Sequence, residues 1–138
     1  MSQSKSRHES ERWWFTAKDD LEAAKILHEA GKYSHACFLS QQSEEKAVKA
    51  LRFSIDSDPW GHSIQKLVME FPKKNMFQSI DDWLANAAYV DKFYIPARYP
   101  NGLPDLTPSQ VYLSQDSEQS IGKAEFFLEN TRKLLKSV

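Results

Sequence analysis

Apolar residues return at three- and four-residue offsets in five stretches of the chain, the period of a helix that buries one face. In the first, from about Ser10 to Ala30, the stripe is Trp13, Ala17, Leu21, Ala24 and Leu27, with Trp14 at its edge; Gly31 supplies the stop. The second runs from Tyr33 to Ile55 with no Gly or Pro inside it. Its small or apolar side holds Ala36, Cys37, Leu39, Ser40, Ser43, Ala47, Val48, Ala50 and Leu51, which predicts a close approach by a neighbouring helix. Only Gly31 and Lys32 separate these stretches, so the two helices should fold back as an antiparallel hairpin. The turn formers of Asp56 to Gly61 precede a short third helix, Ser63 to Phe71, which Pro72 ends. The fourth begins near Ile80, with Asp81 and Asp82 favourably placed in its first turn; Asp91 and Tyr94 keep its spacing, and Pro96 stops it by Ile95. The fifth runs from about Asp116 to Lys136, with Ile121, Ala124, Phe127, Leu128, Thr131 and Leu135 inward. Residues 1–9 are Ser-rich and charged and read as a flexible tail. The loop from Arg98 to Pro108 is the longest irregular stretch, and Thr107 to Gln110 resembles a capping box that could open a helical turn. The expected fold is all-α, a five-helix up-and-down bundle with a long helical hairpin in its N-terminal half, as a single domain over residues 10–138.

Composition narrows this picture. A chain of 138 residues, 41% hydrophobic and 27% charged, suits one ordinary globular core, and only four Gly argue against an all-β fold of many tight turns. The net charge of −1 excludes a nucleic-acid binder that works by bulk electrostatics, so any contact with nucleotide or RNA needs a local patch. The single cysteine, Cys37, allows no intramolecular disulfide, fits a reducing compartment, and reads as a small buried residue. No segment has the apolar length of a membrane span and no signal-peptide core is seen, so a cytoplasmic location is expected. Glycine-rich phosphate loops, G-x-S-x-G, Cys-x-x-Cys and H-E-x-x-H are all absent. His8, His28, His35 and His62 show no metal-ligand spacing, and neither metal nor cofactor is expected.

Three sets of residues could carry chemistry. Gln42, Glu45, Lys46 and Lys49 share one face of the second helix, with Phe38 and Phe53 at its ends. This stripe is either a solvated face with intrahelical ion pairs or a partly wet binding or dimer surface. His62 stands just before the third helix, as a cap or packing residue or as part of a site. Tyr94, Arg98 and Tyr99 lie among Pro96 and Pro100, where a held guanidinium can fork to a phosphate or carboxylate and a Tyr can stack on a base. Arg98 could equally tie its loop to a helix carboxylate, Glu45 or Asp91.

The run DLEAAKILHEAGKYSHACFLSQQSEEKAVKAL, a His before a short helix, and ARYP resemble the HEPN family, the nucleotide-binding domain of higher eukaryotes and prokaryotes. The spacing Gln42, Glu45, Lys46, Lys49 and the Arg98 to Pro100 run are the most specific parts, within a likeness spanning Glu11 to Leu135. The resemblance implies an up-and-down helical bundle, commonly a homodimer, linked to nucleotide or RNA binding and often paired with a small nucleotidyltransferase as a toxin–antitoxin system. Some members are metal-independent ribonucleases whose motif is an Arg followed by four to six residues and a His. Here no His follows Arg98 at that spacing, which disfavours ribonuclease activity. The expectation is a homodimer that binds a nucleotide or other phosphate-bearing ligand through Gln42, Glu45, Lys46, Lys49, His62, Tyr94, Arg98 and Tyr99. A purely structural dimerisation or interaction domain is the remaining alternative.

Overall fold

The computed structural model describes residues 3–137, and the fold is all-helical. Its helices are α1 (Gln3–Glu29), α2 (Tyr33–Ser54), α3 (Ile64–Met69), α4 (Ile80–Asp91), α5 (Pro108–Val111) and α6 (Ser114–Ser137), with two 3-10 turns at Lys74–Met76 and Pro100–Gly102. The all-α bundle is as expected. The count grows by one because the capping-box turn at Thr107 becomes the four-residue α5. α4 ends at Asp91 rather than reaching Ile95, and residues 92–99 continue as hydrogen-bonded turns such as Tyr94 N–H to Asp91 O at 3.2 Å and Tyr99 N–H to Ile95 O at 3.1 Å.

The hairpin between α1 and α2 closes through a Schellman motif. Gly31 takes φ +79°, Lys32 N–H donates to Leu27 O at 2.8 Å, and Gly31 N–H donates to His28 O at 3.0 Å. The two helices then pack closely because their facing residues are small. Ala17, Ala24, Ala36, Ala47 and Ala50 are fully buried. Two serines span the contact, with Ser43 Oγ donating to Ala17 O at 2.6 Å and Ser10 Oγ to Ala50 O at 2.8 Å. These bonds satisfy hydroxyls that burial would otherwise strand.

The expected flexible tail is corrected by the same contact. Residues 3–9 form the first turns of α1; Met1 and Ser2 lie outside the described residues. Ser6 and Ser10 are buried, and Ser6 Oγ donates to Asp56 Oδ1 at 3.2 Å. A polar N-terminal stretch holds a helix when tertiary partners receive it, which local propensity cannot report.

α6 returns along α1 and α2, and α4 with α3 covers the remaining side of α2. Phe71, Phe77, Trp83 and Phe127 form an edge-to-face chain, with ring centroids 5.0, 4.9 and 4.8 Å apart, that joins these elements to the core of Leu21, Val48, Leu51, Ile64, Val68, Ile121 and Leu128. A second cluster of Cys37, Phe93, Ala97 and Tyr112 fixes the irregular segment after α4 against α2. Burial pushes the Cys37 thiol up to about 11 and Tyr112 up to about 12, so both are neutral packing groups at ordinary pH. Among the described residues, no helix is long and apolar enough to cross a membrane.

Candidate functional site on α2

Helix α2 is enclosed on nearly every side, so its polar stripe is not a solvated face. Glu45 is 3% exposed and Lys49 8%. They pair one turn apart, Lys49 Nζ to Glu45 Oε2 at 3.1 Å, and Lys49 Nζ also lies 5.6 Å from the Trp13 ring of α1. Trp13 in turn packs on Phe53, with centroids 5.6 Å apart, which closes one end of the stripe with aromatic surface.

The other end is built by the segments around α3 and after α4. His62 Nδ1 lies 3.4 Å from the Glu45 carboxylate, and its ring stacks on Tyr94, with centroids 5.0 Å apart and planes at 18°. Tyr94 also contacts Phe38 and Arg98. The Arg98 guanidinium carbon sits 4.5 Å from the Tyr94 centroid, 4.6 Å from Phe38 and 5.0 Å from Tyr99. Arg98 Nε–H donates to Tyr94 O at 2.9 Å, which fixes the plane of the guanidinium. Among the described residues, no carboxylate forms an ion pair with Arg98, so the expected tie to Glu45 or Asp91 is replaced by an aromatic box.

His62 is held in place through Asp91, at the end of α4. The Asp91 carboxylate, expected as a possible partner of Arg98, instead accepts from Ile64 N–H and Gln65 N–H, each at 2.9 Å, and from Ser63 Oγ at 3.3 Å. It thereby closes the N-terminus of α3, where unpaired N–H groups favour an anion. Gln41, fully buried on α2, donates from Nε2 to His62 O at 3.0 Å and reaches Asp91 at 3.4 Å. Gln42 Nε2 donates to Gln41 Oε1 at 2.8 Å and lies 3.5 Å from Glu45 Oε1. Gln41, Asp91 and Trp13 therefore position the cluster, and the local signal for Gln41 and Trp13 was ordinary helical spacing.

Of the residues singled out from the sequence, Gln42, Glu45, Lys49, His62, Tyr94, Arg98 and Tyr99 lie in one connected group. Lys46 does not join it. It turns toward α1 and forms an ion pair with Asp20, the two side chains being 23% and 17% exposed. Chemically, the group offers one cation without a carboxylate, a histidine backed by a buried carboxylate, and several aromatic faces. Among the described residues, no cluster of His, Cys, Asp or Glu could hold a metal ion.

One further carboxyl on α2 lies away from this surface. Glu44 is fully buried, and neither of its oxygens finds a hydrogen-bond partner among the described residues. Burial, and next the neighbouring Asp91, push it well above the usual carboxylate range, with Lys123 opposing.

Comparison with known proteins places this architecture. Residues 10–136 match the HEPN domain. The protein named Putative toxin MJ1304 from Methanocaldococcus jannaschii is 28% identical over 130 residues, covering 87% of this chain and 84% of that one. The crystal structure of TT1696 from Thermus thermophilus superposes with a TM-score of 0.86 at 29% identity, covering 91% of this chain and 98% of the other. That of ST0689, described as an archaeal HEPN homologue, gives a TM-score of 0.77 at 35% identity, covering 92% and 98%. With the domain matched nearly end to end and its fold shared by these structures, the chain belongs to the HEPN domain family.

Proposed function

We propose that this HEPN domain is a nucleotide-binding module, a homodimer that takes a phosphate-bearing ligand on the surface built from α2 and works with a small nucleotidyltransferase in a toxin–antitoxin type pair. The observation that carries the reading is Arg98, a guanidinium with no carboxylate partner among the described residues, framed by Phe38, Tyr94 and Tyr99, with His62 stacked on the same Tyr94 ring. A planar cation among aromatic rings suits a phosphate with a base stacked next to it. The toxin name carried by the Methanocaldococcus relative supports the class of system. Calorimetry with ATP, GTP and short RNA tests the binding. The expected result is association that Arg98→Ala abolishes; no heat at millimolar ligand would refute it. Light scattering tests the dimer, and co-purification with a nucleotidyltransferase encoded beside this gene tests the partner.

A second reading is metal-independent RNA cleavage, favoured by one specific contact. Glu45 and His62 form a carboxylate–imidazole pair, and His62 shares the Tyr94 ring with Arg98. An acid–base group then shares one aromatic ring with the candidate phosphate-binding cation, without the Arg-then-His spacing that ribonuclease members of the family use. A gel assay on structured RNA in the presence of a chelator decides it: cleavage lost in His62→Ala and Arg98→Ala supports this reading, and intact RNA removes it.

A further inference from the structure

We infer that the site is matched to a single phosphate group flanked by a base, as in a nucleoside monophosphate or one linkage of an RNA strand, and not to a polyphosphate chain. The inference rests on the phosphate-ligand reading above and goes on to choose among phosphate ligands.

It follows from a charge account of the cluster. The stripe on α2 holds two lysines, but both are committed. Lys49 is paired with Glu45, the two side chains being 10% and 4% exposed, and Lys46 is paired with Asp20 on the α1 side. Drawing Lys49 toward a ligand would leave Glu45 as a buried charge facing only His62, which is strongly unfavourable. Among the described residues of this group, Arg98 is the cation left without a carboxylate, and His62 shares its Tyr94 ring. A triphosphate would bring several negative charges to a surface that has one unpaired guanidinium to meet them.

The geometry of Arg98 points the same way. Its Nε–H is used by Tyr94 O, and its guanidinium carbon lies 4.5–5.0 Å from the centroids of three aromatic rings. The donors that remain are at the terminal edge, where a guanidinium forks to two oxygens of one phosphorus. His62 uses Nδ1 toward Glu45, and its side chain is 61% exposed, so Nε2 is the ring nitrogen left for a phosphate oxygen or a sugar hydroxyl. Tyr99 is 49% exposed on the outer side of the box, an aromatic face available to a base.

The experiment compares affinities of the intact protein for inorganic phosphate, AMP, the dinucleoside monophosphate ApA, ADP and ATP, the last two with and without magnesium. The expected result is that AMP, ApA, ADP and ATP bind within about threefold of one another, because the added phosphates find no further cation. A stepwise gain of about tenfold or more from AMP to ADP to ATP would overturn the inference while leaving the phosphate-ligand reading intact. Absence of binding by every compound would overturn that reading itself, and the inference with it. Arg98→Lys keeps the charge but removes the fork, and is expected to weaken AMP by about tenfold. Tyr99→Leu removes a ring that is 49% exposed. It is expected to weaken AMP about tenfold more than it weakens inorganic phosphate; equal effects on both would refute the stacked base.

Discussion

Replacing Glu44 by Gln should make the protein's stability less sensitive to pH. In the folded state the Glu44 carboxyl is fully enclosed without a hydrogen-bond partner among the described residues, and burial raises its pKa well above the ordinary 4.5. In the unfolded chain it titrates near that ordinary value. Above pH 4.5 the unfolded state has therefore lost a proton that the folded state keeps, and linkage makes stability fall as pH rises. The contribution is complete below 4.5 and is lost as the pH climbs to the raised folded value. Within that window one retained proton corresponds to a slope of about 1.4 kcal/mol per pH unit. Urea unfolding of wild type and Glu44→Gln at half-unit steps from about pH 5 to 8 measures it. The wild-type curve should fall relative to the variant by about that slope before levelling off, and the point of levelling reads out the folded pKa. Parallel curves would mean that Glu44 is ionised and compensated in the bundle, which would refute the reasoning. Glu44→Met is a second check. It removes two unsatisfied oxygens from the interior and should be neutral or stabilising near pH 7, by about 1–3 kcal/mol.

Three further outcomes are expected. Gly31→Ala should cost roughly 1–2 kcal/mol in urea unfolding, all of it backbone strain at φ +79°, since an added Cβ meets nothing within 4 Å; unchanged stability would contradict the left-handed cap. Asp91→Ala removes the acceptor of Ile64 and Gln65 N–H and should cost about 1–3 kcal/mol, with hydrogen exchange accelerating first at those two amides; protection that stays unchanged would argue against the cap. Lys49→Met leaves Glu45 buried with only His62 facing it and should cost about 3–5 kcal/mol, whereas the double change Glu45→Gln with Lys49→Met should recover most of the loss; additive losses in the double-mutant cycle would show that the pair is not coupled.

Much of the bundle was legible because its long helices are strongly periodic. α2 spans Tyr33–Ser54 against an expected Tyr33 to Ile55, and Gly31 stops α1's packing face where expected. The first turns of α1 were not legible because Ser6 and Ser10 signal a helix only through acceptors on Asp56 and Ala50. The end of α4 was missed because Pro96 constrains only the residue before it, while Asp91 is engaged at α3. In the site, spacing alone separated an apolar from a polar side of α2, but α1, α3, α4 and α6 surround that helix, and the polar side became interior. That is why Glu45 and Lys49 are buried, why Gln41 and Glu44 went unremarked, and why Lys46 answers to Asp20 on another helix. The grouping of His62 and Arg98 around Tyr94 depends on long-range packing that helical spacing does not encode.

The order in which the helices come together follows from the hairpin at Gly31. α1 and α2 make the most extensive helix pair in the molecule, and the turn between them is so short that little chain entropy is lost in closing it. α6 reaches the same end of the hairpin only across long sequence separations, as in the contact of His28 Nδ1 with Ser117 Oγ at 2.6 Å, between residues 89 positions apart. The expectation is a transition state in which the hairpin is formed and α6 is still docking. Conservative truncations at the α1–α2 contact should then slow folding, and truncations of Ile121 or Leu128 should mainly speed unfolding, a contrast that stopped-flow kinetics can read.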